Sequence, residues 1–217
     1  MAKGAFITFE GPEKSGKSTQ ARLLSRYLVN RGYKTIFVRE PGSTKLGEKI
    51  RELLLDKKNT EMSTLTEMLL YMAARAQIID EVIRPALEKG NIVLCDRFLD
   101  STIAYQGFGC GLDIRAIKAI GRTVAGSVRP ELTLLLDFWK SADHLRNHKR
   151  PDRIEMRSEV FHRKVKEGYF KLAKQEPRRI KIIKVEKDLN ETQDKIRKAV
   201  DRCLSKMSSA RKARVRF

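Results

Sequence analysis

Apolar residues fall along this chain in two alternating rhythms. Short unbroken runs rich in β-branched and aromatic residues read as strands: GAFITFEG (Gly4–Gly11), KTIFVRE (Lys34–Glu40), NIVLCD (Asn91–Asp96), ELTLLLD (Glu131–Asp137) and RIKIIKV (Arg179–Val185). Between them, apolar positions recur at helical spacing. Lys17–Arg31 carries Leu23, Leu24, Tyr27 and Leu28 at that spacing, and Gly32 is placed to end the helix. Helices are also predicted at Leu46–Leu55, over one long amphipathic stretch from Ser63 to Lys89, and at Asp113–Ala125. Further helices are predicted around Ala142–His148, at Ser158–Gln175 and at Glu191–Ser205. Strands that are apolar throughout and alternate with helices predict an α/β fold, a parallel sheet covered on both faces with right-handed crossovers. Ligands of such sheets sit beyond the carboxyl ends of the strands, where Gly11, Glu40, Asp96 and Asp137 fall.

The pattern fits one domain over residues 1–205. The last residues, SSARKARVRF, lack periodicity, so 206–217 read as a frayed basic tail. Composition adds two constraints. Hydrophobic residues make up 41%, enough for a core, and the formal net charge is 46 − 27 = +19. That charge raises nucleic acid or a membrane surface as partner. The basic residues are spread out and interleaved with Glu, which favours polyanionic substrates, and nucleic-acid contact by the tail is not expected. Cys95, Cys110 and Cys203 are odd in number and widely spaced, which argues against a disulfide framework or a zinc site. The opening MAKGAFITFEG lacks the apolar stretch of a leader, and no run reaches the length of a membrane span. A cytoplasmic protein with no membrane partner is expected.

The chemistry is densest in EGPEKSGKST, Glu10 to Thr19, where Gly11, Gly16, Lys17 and Ser18 spell G-x-x-x-x-G-K-S between a strand and a helix. In that context the loop from Gly11 through Thr19 is a phosphate cradle, with Pro12, Glu13, Lys14 and Ser15 between the glycines. Successive backbone N–H groups and the helix N-terminus attract phosphate oxygens. Lys17 reaches the β and γ phosphates, and Ser18 offers its hydroxyl to magnesium. Asp96, closing the third strand, is placed to complete a magnesium site. It could equally cap the next helix. The segment DRFLDSTIAYQG (Asp96–Gly107) has the polar density of a small-molecule pocket, and Arg97 could hold an acceptor phosphate.

At these residues the chain resembles the thymidylate kinase family. The matching pieces are EGPEKSGKST, VREPGSTKLGEKIRELLL, LLYMAARAQ, VLCDRFLDSTIAYQG, RPELTLLLD and RPDRIEMRSEVFHRKVKEGYFKLA, in family order from Gly4 to about Val200. The resemblance implies a P-loop kinase fold with strand order 2-3-1-4-5, a homodimer, and transfer of a phosphoryl group from ATP-Mg to dTMP. It implies that Arg51 and Arg97 hold the dTMP phosphate, where guanidinium forks suit phosphate oxygens. Tyr71 matches the aromatic that stacks on thymine, usually Phe, and Arg75 the arginine that meets the base carbonyl. Thr102 and Gln106 match family positions that face the base, Ser101 beside them is expected to bind dTMP, and Tyr105 matches the tyrosine that disfavours a ribose 2′-hydroxyl. Arg39 and Glu40 match the Arg-Glu-Pro-Gly loop near the acceptor. Ser43 stands where one branch has a further phosphate-binding arginine. Glu13 matches the acidic residue beside the acceptor's 3′-hydroxyl.

The basic stretch HLRNHKRPDRIEMR (His144–Arg157) matches a lid that closes over ATP. There the resemblance implies that Arg153 is the catalytic lid arginine, that Glu155 lies near the metal, and that Arg146 stacks on adenine. Lys149, Arg150 and Arg157 read as solvated. One family branch carries its catalytic cation in the phosphate loop and the other in the lid. Lys14 and Arg153 give this chain both. Two alternatives stay open: a deoxynucleoside kinase, which would phosphorylate a hydroxyl, and an ATP-regulated nucleic-acid-binding protein.

Overall fold

The computed structural model describes residues 4–138 and 151–214, the last four of these for their backbone. At its centre lies β1 (Ala5–Glu10), buried at every position. It pairs in parallel with β3 (Ile92–Asp96) on one side and β4 (Leu132–Asp137) on the other. β2 (Thr35–Arg39) extends the sheet beyond β3, and β5 (Ile180–Lys184) extends it beyond β4. The order is β2-β3-β1-β4-β5, the expected one. Register then does the functional work. Phe9 lies opposite Asp96, Asp96 opposite Arg39, and Glu10 opposite Leu135, so the polar strand ends line one edge.

Helices cover both faces. On one, α1 (Lys17–Asn30) buries Leu24 and Leu28 against β1, together with Ile196 and Val200 of α8 (Leu189–Arg214). On the other lie α2 (Lys45–Leu55), α3 (Thr64–Ile78), α6 (Ile114–Ala125) and α7 (Glu159–Gln175). Side-chain caps start these helices where the sequence pattern does. Thr44 accepts from Gly47 N–H, Ser63 from Thr66 N–H, Asp113 from Arg115 N–H, and Ser158 from Phe161 N–H.

Three elements differ from expectation. The single helix expected over Ser63–Lys89 is α3, then a π-helical turn at Ile79–Ile83, then α4 (Arg84–Glu88). Pro85 removes a donor from the ladder and crowds the preceding turn, and the hydrogen-bond register slips there. The polar segment after β3 is a short α5 (Leu99–Thr102) running into a second π-helical turn at Ile103–Gly109. The expected frayed tail is a correction. α8 continues as helix to Arg214, because Leu204 and Met207 still pack against the central core and Ser208 Oγ donates to the Leu204 carbonyl at 3.0 Å. The helix expected near Ala142–His148, and with it the first half of the lid, lies outside the described residues. Among the described residues no helix is long and apolar enough to cross a membrane.

Candidate active site

The turn after β1 builds the donor side. Gly11 has φ 133°, and a Cβ there would sit 2.6 Å from the Leu136 carbonyl oxygen. Gly16 has φ 84°. Both conformations belong to glycine. Lys14, exposed at the loop tip, holds φ 59° without being glycine. Lys17 folds back along the loop, its Nζ donating to the carbonyls of Pro12 at 2.6 Å and Gly11 at 3.2 Å. Burial, and then the positive charge of Arg97, lower its pKa to about 8 against the pull of Asp96, Glu13 and Glu10. Ser18 Oγ donates to Asp96 Oδ2 at 2.5 Å, so the hydroxyl and the carboxylate expected at a magnesium site are adjacent.

Arg97 joins this loop to the acceptor side. Its Nη2 donates to Glu13 Oε1 at 2.8 Å and its Nη1 to the Gly11 carbonyl at 2.9 Å. Tyr105 OH donates to the same Glu13 oxygen at 2.7 Å, and the guanidinium lies 5.2 Å from the Tyr105 ring centroid. Burial opposes ionisation of Glu13, but Arg97 and Lys17 outweigh it and hold the carboxyl below its usual range. Beneath Arg97 sits Glu10, fully buried, accepting from Phe98 N–H at 2.8 Å, Ser101 Oγ at 2.5 Å and Tyr169 OH at 2.8 Å. Burial, then the charge of Asp100, push Glu10 up to about 7.

The far end of the cleft is built by α3 and the segment after β3. Arg75 is 1% exposed, yet every side of it is partnered. Its Nε donates to Glu40 Oε2 at 2.8 Å, its Nη2 to Thr102 Oγ1 at 3.1 Å, and its guanidinium lies over the Phe98 ring at 5.1 Å. Burial pushes Glu40 up to about 7 against the pull of Arg75. Tyr71 lines the cleft one turn before Arg75, and burial raises its phenol. Gln106 Nε2 donates to Glu67 Oε1 at 2.8 Å. Arg51 Nη1 donates to the carbonyl of Pro41, which follows a cis peptide, at 3.1 Å. At the mouth Arg39 grips both carboxylate oxygens of Glu48, at 2.8 and 3.0 Å.

Glu13, Arg39, Glu40, Arg51, Tyr71, Arg75, Arg97, Ser101, Thr102, Tyr105 and Gln106 line one cleft of about 310 Å³, with Glu10, Glu67 and Tyr169 buried behind its wall. Lys14, Lys17, Ser18, Asp96 and Glu155 line it with the acceptor-side residues, while Glu155 Oε2 accepts from Asp152 N–H at 3.1 Å. Two arginines depart from expectation. Arg153 is turned from the cleft, its Nη2 on Glu67 Oε2 at 2.5 Å and its Nε on the Leu54 carbonyl at 2.9 Å. Arg157, read as solvated, instead pairs with the same Glu67 oxygen at 2.7 Å, and that is a correction. The cause in both cases is a carboxylate without solvent contact, which needs cations beside it. Arg146, Lys149 and Arg150 lie outside the described residues. Sequence reasoning missed Glu10, Glu67 and Tyr169. A signal existed for Glu67, since it precedes Tyr71 and Arg75 by one and two turns on the same helical face.

Comparison with known proteins gives the family. The family model described as thymidylate kinase matches residues 9–196. A thymidylate kinase of Symbiobacterium thermophilum is 45% identical over 200 residues, covering 92% of this chain and 94% of that relative. One from Pelotomaculum thermopropionicum is 46% identical over 184 residues, covering 83% of this chain and 85% of its own length. Among solved structures, thymidylate kinase from Ehrlichia chaffeensis superposes with a TM-score of 0.76 at 35% identity, over 92% of this chain and 99% of that one. The chain belongs to the thymidylate kinase family.

Proposed function

We propose that this enzyme transfers the γ-phosphoryl group of ATP to the phosphate of dTMP, giving dTDP. The observation that carries the reading is Arg97, which belongs to the polar segment after β3 and whose guanidinium donates to Gly11 and Glu13 of the phosphate loop. A phosphate held there lies beside the loop that holds the donor. The acceptor atom is a phosphate oxygen, already anionic near neutral pH, so positioning and electrostatics supply most of the rate.

On this reading Lys17 leaves its loop carbonyls for the transferring phosphate, and Lys14 or the lid cation Arg153 offsets the charge spread over it. Arg51 and Arg97 hold the dTMP phosphate, with Arg39 and Glu40 in the adjoining loop. Tyr71 stacks on the base, and Arg75, Thr102 and Gln106 meet its polar edge. Glu13 accepts from the 3′-hydroxyl, and Tyr105 fills the space a 2′-hydroxyl would need. Arg146 covers adenine from the lid.

Magnesium fits the donor set. Among the described residues no three His, Cys, Asp or Glu side chains cluster into a protein cage. A carboxylate and a hydroxyl beside a phosphate loop, with the Glu155 carboxylate lining the same cleft, suit an ion that keeps waters and shares substrate phosphates. Ser18, Asp96 and Glu155 would hold it, and the charge neutralisation it would supply is that of the substrate phosphates. We also assign a homodimer, supported by an apolar stripe on α3 where Leu65 and Leu69 are 53% and 46% exposed, and a cytoplasmic location.

The test is a coupled ADP-release assay with dTMP, dUMP, dCMP, dGMP and thymidine as acceptors. A preference for dTMP is expected. A preference for thymidine would make the enzyme a nucleoside kinase and reject the reading.

A further inference from the structure

Glu67 is 0% exposed, and its two oxygens meet different partners. Oε2 receives the guanidinium groups of Arg153 and Arg157, at 2.5 and 2.7 Å. Oε1 receives the side-chain amide of Gln106, at 2.8 Å. An ionised carboxylate only accepts hydrogen bonds. It therefore fixes which way the Gln106 amide points. The NH₂ group is committed to Glu67, and the carbonyl is left for the cleft that Gln106 lines. A carbonyl there offers a lone pair to the acceptor base. That suits a pyrimidine with an N3–H donor, as in thymine and uracil, and opposes one with a bare N3, as in cytosine.

We propose that Glu67 is a specificity-determining positioning residue, which sets preference for an N3–H pyrimidine by orienting the Gln106 amide. The proposal rests on reading the cleft as a pyrimidine monophosphate site. Glu67 touches no substrate and acts through Gln106. The two arginines are part of the device, because they are donors only. They compensate the buried charge and also decide the outcome of a neutral substitution. In Glu67→Gln they hold the new carbonyl on their side, so the new NH₂ faces Gln106. Gln106 must then present its own carbonyl to residue 67 and its NH₂ to the cleft. One atom's change at a buried position inverts the donor–acceptor code of the pocket two side chains away.

The experiment measures kcat and KM for dTMP, dUMP and dCMP in wild type and Glu67→Gln. The dTMP/dCMP ratio of kcat/KM is expected to fall at least about tenfold, the value of one good hydrogen bond. The change should lie mainly in KM. The dTMP/dUMP ratio should hold, since those bases share the N3–H edge. In a Gln106→Leu background the same substitution should no longer change the dTMP/dCMP ratio, as a double-mutant cycle requires. Equal losses on all three acceptors, or a ratio change that persists in the Gln106→Leu background, would overturn the proposal. Should Glu67→Gln not fold, the pair Glu67→Gln with Arg157→Gln removes one stranded cation and is read the same way, because Arg153 still enforces the orientation. A wild-type chain that turns over thymidine but no pyrimidine monophosphate would overturn the function reading itself, before any variant is compared.

Discussion

With burial holding Lys17 at about 8, a modest rise in pH discharges the cation of the phosphate loop. Phosphates brought to it favour the charged form and raise that value again. Between the two values, binding must take up a proton. Calorimetric titration with ATP at pH 8.5, in two buffers of different ionisation enthalpy, should show this uptake, and it should fade near pH 7. Equal heats in both buffers at pH 8.5 would mean that the Lys17 amine is charged throughout. The neighbouring Lys14 is exposed and held at a positive φ, so its side chain has few structural duties. If it offsets phosphoryl charge, Lys14→Ala should lose roughly tenfold or more in kcat with the KM for dTMP little changed. Full turnover would mark it as a solvated charge. For Arg153→Ala, a fall in kcat identifies a cation that swings from Glu67 to the phosphates on lid closure. Unchanged kcat with a lower melting temperature confines it to the pair with Glu67.

The helix α7 packs tightly against the π-helical turn at Ile103–Gly109. A Cβ on Gly168 would fall 2.6 Å from the Phe108 ring, and one on Gly109 would fall 2.5 Å from the Phe161 ring. Gly168→Ala should therefore destabilise by about 1–3 kcal/mol through overpacking, read as a lower denaturant midpoint at unchanged slope. An unshifted midpoint would mean that the Phe108 ring yields freely. Neither glycine announces this in the sequence, since the rings that crowd them lie 60 and 52 residues away. The same distinction governs legibility throughout. Strands, caps and the phosphate loop depend on neighbours within a few residues, so Ser63, Asp113, Ser158 and the Gly11–Gly16 pair could be read directly. The π-helical turns depend on packing around Pro85 and around α7. The Glu67 pairings reach 86 and 90 residues along the chain, and Tyr169 reaches Glu10 across 159. Glu10 looks in sequence like the last residue of a strand, and only the fold gives it three donors.

For the whole molecule, the exposed leucines of α3 are joined by Leu46 and Leu53 of the adjoining α2, each about half exposed. Leu69→Glu would place a charge in the centre of that surface, so sedimentation should change from dimer to monomer. A wild-type monomer at micromolar concentration would remove the assignment. Stability should also follow pH in a defined sense. Glu10 and Glu40 are raised from 4.5 to about 7, so the folded state binds more protons than the unfolded chain within that window. Stability contributed by these two groups is present below 4.5 and is lost as pH rises towards about 7. Glu10→Gln should flatten the slope of melting temperature against pH across that range, and an unchanged slope would assign the effect to other groups.

Arg97 carries a thermodynamic consequence of its position. Its nitrogens hold the Gly11 carbonyl and the Glu13 carboxylate of the donor loop, while the residue itself stands in the segment proposed to take the acceptor. If, as proposed, Arg97 serves both phosphates, any effect of one substrate on the affinity of the other must be matched by the same factor in the reverse order of addition. A favourable factor depopulates the half-filled state in which ATP waits alone. That is the state in which water, rather than a nucleotide, would receive the phosphoryl group.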